Sequence, residues 1–474
     1  MGRSGGVRVG GHRSSLSSTS GTEQRMVPHP LAAHVLGPVL SPGDEGFADE
    51  VLTFNRAVVH TPELVVGATT TADVVAAVRW ASEHGLPLTV LATGHGATVP
   101  VRSGLIVTTR RISGVVVDGE SRVATIGAGA LWSDVVPMAD AVGLAAVAGA
   151  STVVGVVGYL LGGGLGPLAR SHGFSSDRVE SFTVVTGTGE VVEASATDHA
   201  DLFWALRGGR GGLGVVTEVR VRLVSVPELY AGSLLFDTEH VSTVLRGWLA
   251  WTPTADESTT TSAAIVRFPS VDAVPPPMRG RTVLMLRFAR PGDAQSGALA
   301  AAPLRALAPV MTDGVGVLPV AQTDRIHGAG APVPGPSWGR SLMLTSADDD
   351  LASAVLEHSG PDADHPFMAV ELRHVSGATA HDVAGGSAVS GRGPAFTFGV
   401  AGADPTTFET VLPSAAAAIL EALAPWTSEE LNPNFAGMSA ARWSEPTTDR
   451  LREVRRRYDP AGVFSVASPG EAEV

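Results

Sequence analysis

Gly149–Pro167 reads GASTVVGVVGYLLGGGLGP and Leu91–Ala97 reads LATGHGA; these two stretches decide the fold. In the longer one glycine stands at 149, 155, 158, 162, 163, 164 and 166, with Val153, Val154, Val156, Val157, Leu160 and Leu161 between. Ordering so many glycines costs backbone entropy, so the chain must gain from positive φ angles or from close approach of bare main chain to something else. A flat, phosphate-bearing cofactor is a partner of that kind, because backbone N–H groups can reach phosphates and ring edges with no side chain in the way. His95 stands in the shorter stretch between Gly94 and Gly96. Alone it reads as a histidine exposed on a loop. Beside the second stretch it reads as a nucleophile toward a bound cofactor.

Composition narrows the chemistry. At 474 residues, 44% of them hydrophobic, the chain has room for two or three domains with proper cores. A net charge of −14 argues against nucleic acid or an anionic membrane as partner. There is no cysteine, hence no disulfide, thiolate nucleophile, iron–sulfur cluster or Cys-ligated zinc, and no metal site is expected. All 33 basic residues are Arg, which excludes a Schiff-base or P-loop lysine. The opening MGRSGGVRVGGHRSSLSSTSG has no apolar run, so a disordered tail and a cytoplasmic location are expected rather than a secretory signal. Ala141–Ala169 is uncharged and long enough to span a membrane, but its eight glycines and Pro167 make it buried backbone of a soluble protein.

Read in order, residues 1–45 are a disordered tail and lead-in broken by prolines. Residues 46–229 form an α+β unit. Within it, AVVHTPELVVGATT (57–70) reads as strand, turn, strand; TTADVVAAVRWASEHG (70–85) reads as a helix capped by Thr71 and ended by Gly85. Hairpins turn at Asp118-Gly119 and at Gly187–Gly189. Residues 230–430 show candidate strands at Thr260–Phe268, Thr282–Phe288, Phe367–His374 and Ala395–Gly399, and candidate helices at His240–Trp251, Asp293–Leu307, Asp348–His358 and Phe408–Leu423. They read as a second, substrate-binding α+β domain on a largely antiparallel sheet, with GAGAPVPGPSWGR a surface loop. Residues 431–470 are a C-terminal segment returning to the first domain.

Gly164, Gly166 and Ala169 satisfy G-x-G-x-x-A, but Pro167 and the flanking glycines do not suit the strand–turn–helix of a nicotinamide dinucleotide fingerprint. Taken together, the TGHG turn at Thr93–Gly96, the Gly149–Gly166 run, DLFWALRGGRGGLGVVT at Asp201–Thr217 and YDPAGVF at Tyr458–Phe464 resemble the berberine-bridge-enzyme-like FAD oxidoreductases. These belong to the vanillyl-alcohol-oxidase, PCMH-type flavoprotein superfamily. The resemblance covers about residues 50–230 and the last forty or so.

The resemblance implies an α+β, two-domain PCMH-type fold holding FAD. It implies that Thr93, Gly94, His95 and Gly96 meet the flavin, with His95 bonded to its 8α-methyl. Ser151 falls where bicovalent members carry a cysteine, so one covalent bond is expected. Gly149 and Val154 match positions that leave O₂ a passage in oxidases. Gly155, Gly158 and Tyr159 lie in the same wall, and Gly162, Gly163, Gly164 and Gly166 are expected to cradle the pyrophosphate and ribityl chain. Gly214 and Val215, with Leu213, occupy a segment whose backbone faces the cofactor; Asn434 and Phe435 pack near the ring. Relatives place a tyrosine two residues before that Asn, where this chain has Asn432.

Catalytic candidates are therefore Glu371, Arg373 and His374 in VELRHVSG, and Tyr159. In a strand, 371 and 373 share one face and 374 takes the other. Glu371 and Arg373 also read as a plain ion pair. The expected activity is hydride removal from a small alcohol, sugar or specialised metabolite, with electrons returned to O₂ as H₂O₂. A dehydrogenase using another acceptor, or a cyclase or scaffold with structural FAD, are the alternatives. The expected assembly is a monomer or homodimer.

Overall fold

A computed structural model describes residues 29–272, 274–328 and 332–464. Three sheets organise them. The first holds Val39–Leu40, Leu64–Gly67, Leu105–Thr108 and Leu88–Leu91 in that spatial order; the first pair is antiparallel and the others parallel. The helix Thr71–His84 makes the crossover between Leu64–Gly67 and Leu88–Leu91. Its cap is Thr70, one residue before the expected Thr71. The Thr70 hydroxyl accepts from Asp73 N (3.2 Å), and the Asp73 carboxylate accepts from Thr70 N in return (3.3 Å). Val74, Ala77, Val78 and Ala81 recur at helical spacing and are buried, and Gly85 ends the helix at φ +64°.

The second sheet is antiparallel, in the order Val115–Asp118, Val123–Gly127, Val215–Arg222, Val179–Val185, Val191–Ser195. Its core extends to the C-terminal helix Glu445–Tyr458: Leu451, Val454 and Tyr458 pack in one cluster with Trp132 and Phe182. The YDP motif ends this helix as a staple. Asp459 accepts from Val463 N (2.8 Å) and Phe464 N (2.9 Å), and the Tyr458 hydroxyl donates to Asp201 (2.8 Å).

The third sheet has eight antiparallel strands. Its main path is Thr312–Asp313, Leu229–Phe236, Thr282–Pro291, Thr260–Arg267, Ala369–His374, Phe396–Gly402, Trp338–Leu344, and Gly316–Val317 also pairs with Leu229–Phe236. Helices Val241–Trp251, Ala294–Arg305, Asp349–Ser359 and Val411–Ala422 contribute to its main core cluster. Ala369–His374 is central. Val370 and Leu372 enter that core, and Glu371 and Arg373 point to the opposite face.

The expected strands and helices of this half are present, their ends moved by three residues at most. Four strands of this half escaped the sequence reading, two of them the short Thr312–Asp313 and Gly316–Val317. Leu229–Phe236 runs across the boundary read between 229 and 230, and Trp338–Leu344 begins inside the stretch read as a surface loop. The expected strand at the start of 57–70 is absent; Leu64–Gly67 pairs instead with Val39–Leu40, inside the segment expected to be disordered, where Leu31 is also buried. The rest of the expected tail, residues 1–28, and 465–470 of the C-terminal segment lie outside the described residues. Among the described residues no helix is long and apolar enough to cross a membrane.

Candidate active site

The turn at Thr93–Gly96 is fixed from below. Phe54 N donates to Thr93 O (2.7 Å), and the His95 ring lies on Phe54 with centroids 3.6 Å apart and planes 17° apart. Gly94 has φ +70°, and a Cβ there would come within 2.6 Å of the Thr53 side chain. His95 Nδ1 is 2.9 Å from the Thr93 hydroxyl, and its Nε2 is buried without a hydrogen-bond partner among the described residues. Burial pushes this imidazole down to about 4, so it is neutral at pH 7. A neutral ring has a lone pair, the form a nucleophile needs.

The long glycine stretch docks beside it. Ser133 N donates to Thr152 O (2.7 Å), Trp132 N to Val154 O (3.1 Å) and Val156 N to Ala130 O (3.0 Å). Gly155 caps the short helix Val156–Leu161 and approaches Thr93, so the two stretches touch. The crowded glycines also have an explanation within the chain. A Cβ on Gly162 would sit 1.9 Å from Asn434 Oδ1, and one on Gly166 would sit 2.0 Å from Ala148 O. Gly163 and Gly164 take φ +99° and +76°, and Gly164 also abuts Tyr159 and Ser175. Much of the glycine therefore serves close packing of the chain on itself. Gly158 faces open space, and Gly96 meets only the Arg210 guanidinium, at 3.3 Å.

Arg210, not singled out from sequence, ties the site together. Its N–H donates to Leu161 O (2.9 Å), one guanidinium nitrogen to Pro433 O (3.1 Å) and the other to Gly96 O (3.4 Å). Gly214 (φ +129°) packs on Val184, and the Val215 side chain is fully buried in the core, so their smallness and shape serve the sheet. Asn434 donates to Tyr159 O (3.1 Å) and Asn432 accepts from Asn434 N (3.0 Å) while donating to Ser390 O (3.0 Å). Asn432 is thus a buried turn-former where relatives were expected to show tyrosine. Tyr159 packs its ring against Gly149 at 3.0 Å from a would-be Cβ and edge-on to Trp132. That contact accounts for a glycine at 149 independently of any gas passage. Burial holds the Tyr159 phenol well above its usual value, so it stays protonated. Ser151 Oγ and Thr98 Oγ1 are buried without partners among the described residues, and Val154 is half-buried.

A cleft opens between Leu165–Ala169 and the third sheet. Arg287, Ser262 and Arg373 stand in register on three adjacent strands. Glu371 accepts from the Ser262 hydroxyl (2.8 Å), from Arg373 (2.8 Å) and from Arg287. Burial alone would raise its carboxyl; the two guanidiniums outweigh that and hold it well below the usual carboxylate range. Glu371 and Arg373 are therefore an ion pair, within a triad. Arg373 also lies 5.1 Å from the centre of the Phe435 ring. His327, missed from sequence, lines the cleft, and burial followed by the two arginines keeps it neutral. No periodic pattern flags a lone histidine in such a connection. His374 leaves the triad's face: it stacks on Phe396 and its Nε2 lies 3.1 Å from Arg170. A guanidinium has no acceptor, so Nε2 is the lone-pair nitrogen and the proton sits on Nδ1. Burial, then Arg170, pushes His374 down to about 3.

Among the described residues no group of three or more His, Asp or Glu could hold a metal. The unpartnered buried atoms at His95, Ser151 and Thr98, around a turn held by Arg210, fit a polar cofactor carrying both donors and acceptors. Comparison with known proteins agrees. Residues 62–195 match the FAD_binding_4 model, an FAD binding domain. The chain is 32% identical over 225 residues to (R)-6-hydroxynicotine oxidase of Paenarthrobacter nicotinovorans, a match spanning 47% of this chain and 46% of that one. It shares its fold with 6-hydroxy-D-nicotine oxidase from Arthrobacter nicotinovorans (TM-score 0.78, 23% identity, 93% of this chain and 98% of that one). A second structure of like fold is glucooligosaccharide oxidase from Acremonium strictum, whose FAD is 6-S-cysteinyl, 8α-N1-histidyl (TM-score 0.78, 20% identity, 92% of this chain and 98% of that one). The chain spans about half the length of the curated relative it matches. The expected α+β, PCMH-type FAD-binding fold with a second α+β unit on an antiparallel sheet stands, and the chain carries an FAD binding domain over residues 62–195 and is similar to FAD-linked oxidoreductases.

Proposed function

We propose that this chain holds FAD through a single bond to His95 and oxidises a small organic substrate seated in the cleft beneath the antiparallel sheet, with O₂ as the final acceptor. The observation that carries this reading is the convergence of Thr93–Gly96, the glycine stretch, Arg210 and Asn432–Phe435 around a neutral imidazole whose Nε2 has no partner among the described residues. Bound flavin supplies a two-electron acceptor for hydride. The chain has no cysteine, so the second, thioether bond of a 6-S-cysteinyl FAD is not available. The oxidase reading is supported by the name of the nicotine-oxidising relative.

The cleft residues divide the remaining work. Glu371 is committed to two guanidiniums and a serine, so it positions Arg287 and Arg373 and is a poor proton acceptor. Tyr159 stays protonated and His374 turns its lone pair to Arg170. Of the two neutral imidazoles lining the cleft, His374 and His327, His327 lies beside Arg287 and Arg373 and is assigned the proton released from the substrate's O–H or N–H. Leu165, Phe288 and Ile326 exclude water from the same space. Anaerobic mixing with alcohols, sugars and amine-bearing metabolites tests the proposal: an oxidised substrate bleaches the visible band, and air restores it within the turnover time. A band that never bleaches during product formation establishes the structural-FAD alternative; slow return in air establishes a dehydrogenase.

A further inference from the structure

We infer that the cleft takes a substrate bearing a carboxylate on an apolar body, with Arg287 and Arg373 as its recognition pair. This rests on the reading of the cleft as the substrate site and goes on to name the class of substrate.

The argument begins with register. Ser262 is the cross-strand neighbour of both Arg287 and Arg373, so two guanidiniums project from one face of the sheet with a serine between them. Like charges placed this way repel unless something answers them. Glu371 answers one. Its two oxygens are used by Arg287, Arg373 and Ser262, and His327, which also faces the pair, is neutral. The group carries two positive charges and one negative, an excess of one cation. The three side chains are largely enclosed: 12% exposed at Arg287, 23% at Arg373 and 20% at Glu371.

An enclosed surplus charge is costly and is normally paired or moved to solvent. A purely structural ion pair would balance to zero. Here Arg287 Nε–H is buried without a partner among the described residues, a donor directed at no protein acceptor. A planar anion satisfies both demands, since guanidinium and carboxylate match in charge and in fork geometry. The surplus of one unit suits a carboxylate better than a phosphate, which brings nearly two negative charges. Leu165 and Ile326 line the same cleft from outside the sheet, and suit an apolar body. The same surplus disfavours an ammonium group, so this cleft selects against charged amines.

The holoenzyme is titrated calorimetrically with benzoate, benzamide and benzylamine, which share a ring and differ in charge. Benzoate should bind about tenfold or more tighter than benzamide, with benzylamine weakest. Arg373→Met should erase the preference. Glu371→Gln should tighten benzoate, because it frees both guanidiniums while keeping the shape and the serine contact; a merely structural triad would loosen there and bind no better. Equal affinities, a reversed order, no benzoate binding, or weaker benzoate binding by Glu371→Gln overturns the inference. The visible spectrum of the same sample separates the two levels. Yellow protein with the wrong order removes only the carboxylate assignment, whereas protein that takes up no flavin removes the reading beneath it as well.

Discussion

His95 lies face to face with Phe54, ring centroids 3.6 Å apart and planes 17° apart, with the Thr93 hydroxyl 2.9 Å from Nδ1. The imidazole is therefore held on one face and at one edge, and Nε2 is left without a partner among the described residues. Preorganisation of this kind belongs to the rate of bond formation with the cofactor. Phe54→Leu keeps an apolar floor but removes the flat one. It should fold, bind FAD and incorporate it covalently several-fold more slowly, read as the time course of flavin retained after acid precipitation. An unchanged time course would show that the stacking does not orient the ring.

Glycine at 166 and glycine at 158 make opposite predictions. Gly166→Ala drives a Cβ to 2.0 Å from the Ala148 carbonyl, which is backbone and cannot swing away. It should cost roughly 2 kcal/mol or more, seen as a clear fall in melting temperature. Gly158 lies in the helix Val156–Leu161 with open space around it. Gly158→Ala should be neutral or stabilising by up to about 1 kcal/mol. Equal effects at the two positions would contradict the internal-packing account of the glycine run.

Two histidines away from the His95 turn give stability a pH signature. His374 is pushed down to about 3 and His365 to about 4, both first by burial, from a usual 6.5. Between those values and 6.5 the unfolded chain binds protons that the folded chain refuses, so stability falls as pH falls through that window. Above 6.5 these groups contribute no slope. The urea midpoint should drop between pH 7 and pH 5, and His365→Gln should flatten the drop. A midpoint independent of pH over that range would mean that neither ring is held neutral.

His327→Gln removes the assigned proton acceptor while keeping a polar side chain of similar reach. Turnover should fall by about a hundredfold with little change in substrate affinity, and the acidic limb of the pH–rate profile should disappear. A loss confined to KM would place His327 in binding instead.

Much of this was legible in the residues. The helix from Thr71 to His84 announced itself through its apolar spacing and Gly85, with the cap read one residue late, at Thr71 instead of Thr70. The meeting of LATGHGA with the glycine stretch was readable because only backbone tolerates such approach. What stayed hidden is what depends on tertiary register. Arg287 and Ser262 sit in ordinary alternating strands, and only the pairing of three strands brings them to Arg373. His327 and Arg210 come from connections with no periodicity. Glycine density alone did not show that Gly162 and Gly166 also pack closely on Asn434 and Ala148 within the chain. The strand Trp338–Leu344 was hidden by the prolines that precede it.

The account stands most directly on the state of His95. Protein purified with FAD is denatured, digested and examined by mass spectrometry, with flavin fluorescence followed on a denaturing gel. The account predicts a fluorescent band, one FAD on the peptide containing His95, none on the peptide containing Ser151, and no band from His95→Ala. Flavin released quantitatively on denaturation, or a band of normal strength from His95→Ala, would contradict it.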